Sequence, residues 1–507
     1  MPRQLEIHGV PKNIAMDGWR LETAVEPVDT SSSNRDGTGG ADPEVTGERR
    51  GRWVQFIAIA LLADFLFWDQ RIGISLVFFA IGLVLIAGRR SHRSAQIKAG
   101  LLCLLGALPV VDSLQPLSVV FLVIGSTTAI VTLNGQGTGL PWLASQVASF
   151  LIALPGQWLR SLHPAGIRRM RTPAQSLAST ARLASLTRDW AFPLGGSLVF
   201  LALLMDANPI FLTLGTEHVD FWRLCQRATF WVGVMVLTAP FLLPVRSAIS
   251  LPDFPEFRLP RLGLNMRSVL RALFMFNVLI GVQMMTDIAI LVGGAELPSG
   301  MTYAEYAHRG AYPLLATAML AMAFAVLARP FWHGHRLIQP LMLLWLLQNV
   351  VLTGAAALRL DLYIEVYGLT YLRLYALIWM ALVACGLGLA IVQMALSRGT
   401  EWLAAWTAGL GAVTIYACAF VNFAAIIAAQ NLSRPDPDLA YVCDLGPMAA
   451  AEMAEAKVAN PYLLQLDRRY SRYCQAEMPP QIEGWRDWGL RNWRVNRMVE
   501  NSGPGAG

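Results

Sequence analysis

Ionisable and amide side chains set inside long apolar runs are where this sequence can do chemistry, because such groups are costly in lipid and are either paired or functional. "NVLIGVQMMTDIAIL" holds Asn277, Gln283 and Asp287, the last two one helical turn apart on one face. "WLLQNVVLTGAAALRLDLYIEVYGLTYLRLY" adds Gln348 and Asn349, then Arg359, Asp361, Glu365 and Arg373. If one helix carries this stretch, Gln348 and Arg359 share a face, since eleven residues make almost three turns. Asn422 stands in "YACAFVNFAAIIAAQN", and "MTYAEYAHRGAYPL" supplies Glu305, His308 and Arg309. Glu305 and Arg309 are spaced as a local ion pair.

Three chemistries fit these residues. A polar vestibule binds a small ligand or a partner. Mid-span amides (Asn277, Gln348, Asn349, Asn422) line a solute path. Asp287 or Asp361 beside an arginine acts as a general acid or base. The last ranks lowest, because one carboxylate near an arginine is usually an ion pair; Arg359 is the first partner expected for Asp287, and Arg309 the second. Tyr363, Tyr367, Tyr371 and Tyr375 recur every four residues and read as an interfacial belt.

Other signatures are weak. "GQGTG" at 135–139 lacks the lysine and setting of a phosphate loop and reads as a turn. His333 and His335 form an "HGH" pair without a neighbouring Cys or carboxylate, which is a poor metal site. No Gly-x-Ser-x-Gly elbow or zinc helix motif occurs. The sequence therefore points to no metal, no cofactor and no catalytic residue. Cys103, Cys225, Cys385 and Cys418 fall in apolar runs as small fillers.

The elements that must position these groups are membrane spans. At 507 residues, 55% hydrophobic, 15% charged and a mean hydropathy of +0.46, the chain is too apolar for a soluble protein of this length. The arginines lie in short loops, with no basic face interleaved with aromatics, which excludes a nucleic-acid module. Eleven apolar runs are read as spans, at 53–68, 72–88, 97–111, 116–133, 190–207, 221–244, 271–292, 310–328, 337–357, 370–396 and 402–429. The first four are short, so ten to twelve spans are open. Trp53 and Trp68 bracket the first as interface anchors.

Basic residues set the orientation. One set of alternate loops holds Arg89, Arg90, Arg93 and Lys98, six arginines from Arg160 to Arg188, Arg246 to Arg267, Arg329, Arg336 and Arg398. The opposite loops hold Arg71, Arg309 and Arg359. The positive-inside rule then places the N-terminus in the cytoplasm and the C-terminus outside.

The expected organisation is a disordered cytoplasmic tail (1–50), four short spans (51–139), a cytoplasmic amphipathic and basic segment (140–189), a core of seven spans (190–430) and an extracytoplasmic tail (431–507). The tail from 1 to 50 is rich in Gly, Ser and acids, with little to bury, and no apolar stretch precedes Trp53 to serve as a signal peptide. In the segment 140–189, Leu143, Val147, Phe150, Leu151, Leu154 and Trp158 form a helical stripe, either lying in the inner leaflet or packed as a short core helix. Ala404, Ala408 and Ala412 repeat every fourth residue and mean close helix packing. Cys443 and Cys474 in the outer tail are disulfide candidates.

The phrases "ALFMFNVLIGVQMMTDIAIL", "GMTYAEYAHRGAYPL", "LRLDLYIEVYGLTYLRLYALIWM" and "YACAFVNFAAIIAAQN", with "DANPIF" and "DLGP", resemble a widespread family of bacterial multi-span membrane proteins known only as a domain of unknown function. The resemblance covers about residues 190–450. It implies a bacterial inner-membrane, multi-pass protein and supplies no activity.

The resulting expectation is an all-α, polytopic transmembrane helical bundle of about eleven spans. Its partners are the lipid bilayer and a protein in the membrane or periplasm, with no nucleic acid. The preferred function is a non-enzymatic sensor or accessory subunit with a polar outer vestibule. The alternatives are a small-solute transporter and, less favoured, a membrane enzyme of envelope biosynthesis.

Overall fold

A computed structural model describes residues 43–89, 91–134, 139–162, 196–197, 200, 221–242, 265–291, 303–332, 334–460 and 474–502, with side chains left out at some helix ends, including 303–312. The tail 1–42, most of the run 190–207, the turn residues 135–138, the basic stretch 163–189 and His333 lie outside the described residues. The chain divides into residues 1–53 and one large unit, Val54–Gly507. Among the described residues every regular element is helical.

The helices are α1 (Pro43–Phe67), α2 (Ser75–Ala87), α3 (Arg93–Asp112), α4 (Pro116–Asn134), α5 (Leu140–Leu162), α6 (Phe221–Leu242), α7 (Met266–Leu291), α8 (Tyr303–Ala328), α9 (Ile338–Tyr367), α10 (Tyr371–Ala395), α11 (Thr400–Cys418), α12 (Phe423–Leu432), α13 (Leu439–Asp444), α14 (Ala450–Ala459) and α15 (Leu490–Ser502). Five of them, α3, α4, α7, α9 and α10, are long and apolar enough to cross a membrane, and six do so if α11 and α12 count as one bent span. Shorter apolar stretches occur at Val54–Phe67, Ser75–Ala87 and Ala316–Phe331.

Burial follows the helical period. On α7, Val269, Leu273, Asn277 and Asp287 are buried, while Phe274, Val278, Leu279, Val282 and Met285 are exposed. An apolar face open to the surroundings is what lipid contact requires. One cluster joins α2, α3 and α4 around Ala99, Cys103, Ala107 and Ala129. There Gly106 and Gly125 let backbones meet: a Cβ on Gly106 would stand 2.6 Å from the Phe121 carbonyl oxygen. A second cluster joins α7, α8, α9, α10 and α11 around Leu273, Ala321, Met342, Leu346 and Leu387.

A third cluster continues from the spans into the C-terminal segment. Leu352, Ala356, Leu360 and Ile364 of α9 and Ile427 of α12 share it with Val442, Cys443, Ala449, Met453 and Cys474. The C-terminal segment is therefore a cap packed on one end of the bundle. Loop residues 484–489 reach the α1–α2 turn, where Ile74 N–H donates to the Trp488 carbonyl at 3.2 Å and Ser75 N–H to that of Arg486 at 3.1 Å. Arg71 pairs with Glu483 at 2.8 Å. Cys443 and Cys474 are joined by a disulfide within the cap, and Lys457 pairs with Glu477 at 2.6 Å. At the opposite end Arg329 donates to the Thr400 hydroxyl and the Arg398 carbonyl, tying the α8–α9 connection to the α10–α11 turn.

Four expectations change. The run 402–429 is not one straight helix: α11 and α12 meet at 68°. Asn422 caps α12 by accepting from Ala425 N–H, and the Ala419 carbonyl at the bend accepts from Gln115 and Arg491, so distant side chains satisfy the backbone that the break exposes. The phrase Met301 to Leu314, expected as an outer loop, is helical from Tyr303, in keeping with its Ala, Glu and Arg helix formers. The tyrosine series is cut at Gly368, leaving the pair Tyr363–Tyr367 on α9 and the pair Tyr371–Tyr375 on α10. Ala404, Ala408, Gly409 and Ala412 are exposed; the only buried residue of α11 is Leu403, because the helix meets the bundle on another face.

Helix α5 exists and packs along α6. Phe150 meets Phe241 with ring centroids 5.3 Å apart, and Trp158 Nε1 donates to the Leu237 carbonyl at 3.2 Å.

Candidate functional site

The seam between α7 and α9 gathers the polar residues that the spans would otherwise expose to lipid. Helix α7 starts at a reciprocal cap, in which Asn265 Oδ1 accepts from Ser268 N–H at 2.9 Å and Ser268 Oγ accepts from Asn265 N–H at 3.1 Å. Helix α9 runs 30 residues without a break, about 45 Å at the helical rise. Gln348 and Arg359 accordingly both face α7, one at mid-span and one near the capped end.

Near the capped end, Arg359 is ion-paired with Asp287, the two being only 3% and 2% exposed. Gln283 Nε2 donates to the same carboxylate oxygen, Asp287 Oδ1, at 2.8 Å. An arginine fits this place because its guanidinium is weakly hydrated and holds its charge when buried. The carboxylate is thus held by a cation from α9 and an amide from its own helix, an arrangement that clamps the two helices.

Lower in the seam the hydrogen bonds cross both ways. Asn277 Nδ2 donates to the Leu273 carbonyl at 2.7 Å and to the Leu341 carbonyl of α9 at 3.1 Å, while Gln348 Nε2 donates back to the Asn277 carbonyl at 3.4 Å. Asn349 turns to its own helix, donating to the Trp345 carbonyl at 2.7 Å, and its carbonyl in turn accepts from Thr353. Among the described residues the side-chain oxygens Asn277 Oδ1, Gln348 Oε1 and Asn349 Oδ1 are buried without a hydrogen-bond donor. Such oxygens are suited to a water, a solute N–H or a cation.

The remaining expected site residues separate. Asp361 and Glu365 are exposed, one turn apart at the end of α9. Arg373 caps α9: it donates to the carbonyls of Tyr367, at 2.9 Å, and Gly368, with its guanidinium 4.5 Å from the Tyr363 ring centroid. Asn422 belongs to the helix bend and donates to the Met448 carbonyl of the cap at 2.9 Å. The backbone of Glu305, His308 and Arg309 lies in α8, and their side chains lie outside the described ones. Among the described side chains the expected site residues fall into separate groups: one cluster is Gln283–Asp287–Arg359, a second is Asn277–Gln348, and Asn349, Arg373 and Asn422 serve other contacts.

Sequence reasoning missed three polar centres. Asp64, inside α1, accepts from Arg227 Nε at 2.7 Å and from Trp231 Nε1 at 2.9 Å, both on α6. Asp112 pairs with Arg491 of α15. Asn431 embraces the α9–α10 turn, accepting from Leu369 N–H at 2.7 Å and donating to the Leu369 carbonyl at 2.8 Å. That turn needs Gly368, whose φ is +78° and whose Cβ, if present, would stand 2.6 Å from Asn431 Oδ1. The signal for the first was available: an acid amid "LLADFLF" and an arginine in "FWRLCQRATFW" are each in need of a partner.

Among the described residues no group of three or more His, Cys, Asp or Glu is placed to hold a metal ion. Residues 56–456, most of the chain, match the family model described as "Domain of unknown function (DUF4153)". The chain belongs to that family. No curated protein and no solved structure matches it.

Proposed function

We propose that this protein is a multi-pass inner-membrane protein of about eleven spans, cytoplasmic at its N-terminus and extracytoplasmic at its C-terminus, that works as a non-enzymatic sensor or accessory subunit through its outer face. One observation carries this reading: the segment after the last span is a folded, disulfide-joined cap seated on the bundle's end. A disulfide suits an oxidising compartment, which supports an outer cap. The basic connections Arg89, Arg93, Arg329, Arg336 and Arg398 fall at the other end, which suits the cytoplasmic side. The charged groups of the seam are engaged with each other, which suits a structural clamp better than acid–base catalysis. Asp361 and Glu365 remain exposed at the capped end, where a ligand or a protein partner meets them.

Topology reporters test this reading. A phosphatase fused after Ser502 should be active and a fluorescent protein at the same site dark, with the reverse after Arg169; a bright fluorescent fusion at the C-terminus would overturn the reading.

A second reading, a small-solute transporter, is favoured by the bent α11–α12 helix and the mid-span amides, because broken helices and polar mid-span groups recur in transporter sites. Asn277→Leu with Gln348→Leu separates the two. A variant that accumulates and melts like the parent, yet fails to restore the phenotype of a deletion strain, supports transport. Full restoration removes that reading.

A further inference from the structure

At the basic end, the N-terminal halves of α7 and α9 leave an outward-facing groove of about 410 Å³ lined by Leu270, Arg271, Phe274, Met275, Leu337 and Leu341. That volume lies within the usual range for small-molecule sites, roughly 300–1,000 Å³. Apart from Arg271 its wall is apolar, so the groove suits a hydrocarbon chain. Arg271 is the one cation in its wall, and two further arginines are close to that wall in the chain, Arg267 one turn before Arg271 and Arg336 next to Leu337. Arg267 and Arg271 are one turn apart in the first turns of α7, and Arg336 precedes α9 in the turn that packs on α7, where Gly334 lies against Met266. All three arginines are exposed, and no hydrogen bond or ion pair engages them among the described residues. The contrast with Arg359, Arg373, Arg434 and Arg491, each bound to a carboxylate or a carbonyl, is direct. The positive pole of α7 adds to the same field.

We infer that this groove binds an anionic phospholipid, with one acyl chain along Leu270, Phe274 and Leu341 and its phosphate among Arg267, Arg271 and Arg336. The occupant follows from charge complementarity: an apolar slot with Arg271 in its wall, and with Arg267 and Arg336 beside its lining residues in the chain, matches a molecule that is hydrocarbon at one end and phosphate at the other. The inference rests on the reading that the bundle lies in a bilayer. It does not depend on which side either end faces.

The test uses the full chain, delipidated in a neutral detergent and titrated with phosphatidylglycerol or phosphatidylcholine. Bound lipid is counted by native mass spectrometry, and melting temperature is followed in parallel. The parent should prefer phosphatidylglycerol by roughly ten-fold or more, the size expected when two or more arginines meet an anionic headgroup. Arg267→Gln, Arg271→Gln and Arg336→Gln together should abolish the preference while leaving the melting temperature in phosphatidylcholine unchanged. Should the triple variant fail to fold, Arg271→Gln alone, at an exposed position, should lower the preference several-fold. Equal binding of the two lipids by the parent, or a preference that survives these changes, overturns the inference. Recovery of the protein outside the membrane fraction would instead overturn the membrane reading beneath it.

Discussion

Arg491 of α15 donates Nε to Asp112 Oδ2 of α3 at 2.9 Å, joining residues 379 apart in sequence, and its guanidinium also donates to the Ala419 carbonyl at the bend between α11 and α12. One buried cation thus fastens the cap, the first helical cluster and the broken helix. Removing one partner of a buried pair typically costs about 3–5 kcal/mol, because the other charge is left stranded. Arg491→Gln should lower the melting temperature and speed hydrogen exchange in residues 474–502. Asp112→Asn combined with Arg491→Gln should recover part of the loss. Parent-like melting and exchange in Arg491→Gln would mean that the cap is held by its other contacts.

The disulfide makes a separate prediction. Cys443 and Cys474 are 31 positions apart, and closing a loop of that order stabilises by about 3–4 kcal/mol in the chain-entropy model. Unreduced, denatured protein should therefore alkylate at the four remaining cysteines, Cys103, Cys225, Cys385 and Cys418. Reduction should expose two more. Labelling at all six without reductant would show that the thiols are free in the cell, and would also remove the main support for an outer cap.

Glu452 in α14 gives the cap a pH dependence. Burial pushes its carboxyl above the usual range, a hydrogen bond from its own backbone N–H opposes part of the rise, and nearby Glu455 adds a smaller upward push. Its Oε2 is buried without a hydrogen-bond donor among the described residues. A raised folded-state value means that the folded protein binds the proton more tightly than the unfolded chain. The stability this gives is complete at pH below the unfolded value and is lost as pH rises through the folded one. Glu452→Gln should therefore melt like the parent near pH 4 and above it near pH 8, with a flatter dependence between. Superimposable curves across that range would show that the carboxyl is solvated.

Much of the bundle is legible because lipid leaves few options. Apolar runs at helical length give α3, α4, α7, α9 and α10, and an acid and an arginine near the same end of neighbouring spans give the Asp287–Arg359 pair. The bend at residues 419–422 is not legible, since "CAFVNF" contains neither Pro nor Gly and the exposed Ala419 carbonyl is satisfied by Gln115 and Arg491, which lie far away in sequence. The docking of the cap is hidden for the same reason, its fastenings being pairs such as Arg71–Glu483 that no local pattern announces. Asp64–Arg227 was readable in principle, but both residues sit inside runs whose average hydropathy conceals a single charge.

Asp287 is reached by Arg359 from α9 and by Gln283 from α7, and both members of the charged pair are buried. An unpaired carboxylate costs about 2.5–3.5 kcal/mol at the centre of a span on insertion scales and less toward its ends, and either single neutralisation leaves the other charge stranded near the capped end. Asp287→Asn or Arg359→Gln should each reduce accumulation in the membrane and lower the melting temperature in detergent, and the double change should restore part of both. Gln283→Leu tests the weaker arm: it removes one neutral donor from a carboxylate that retains its arginine, so its effect should be clearly smaller, about 1 kcal/mol. That order separates a clamp from a binding site, because a clamp responds to the stranding of charge and a binding site to the loss of the group itself. If Asp287→Asn accumulates and melts like the parent, the carboxylate is not holding α7 to α9, and ligand binding or proton transfer at Asp287 becomes the reading to pursue.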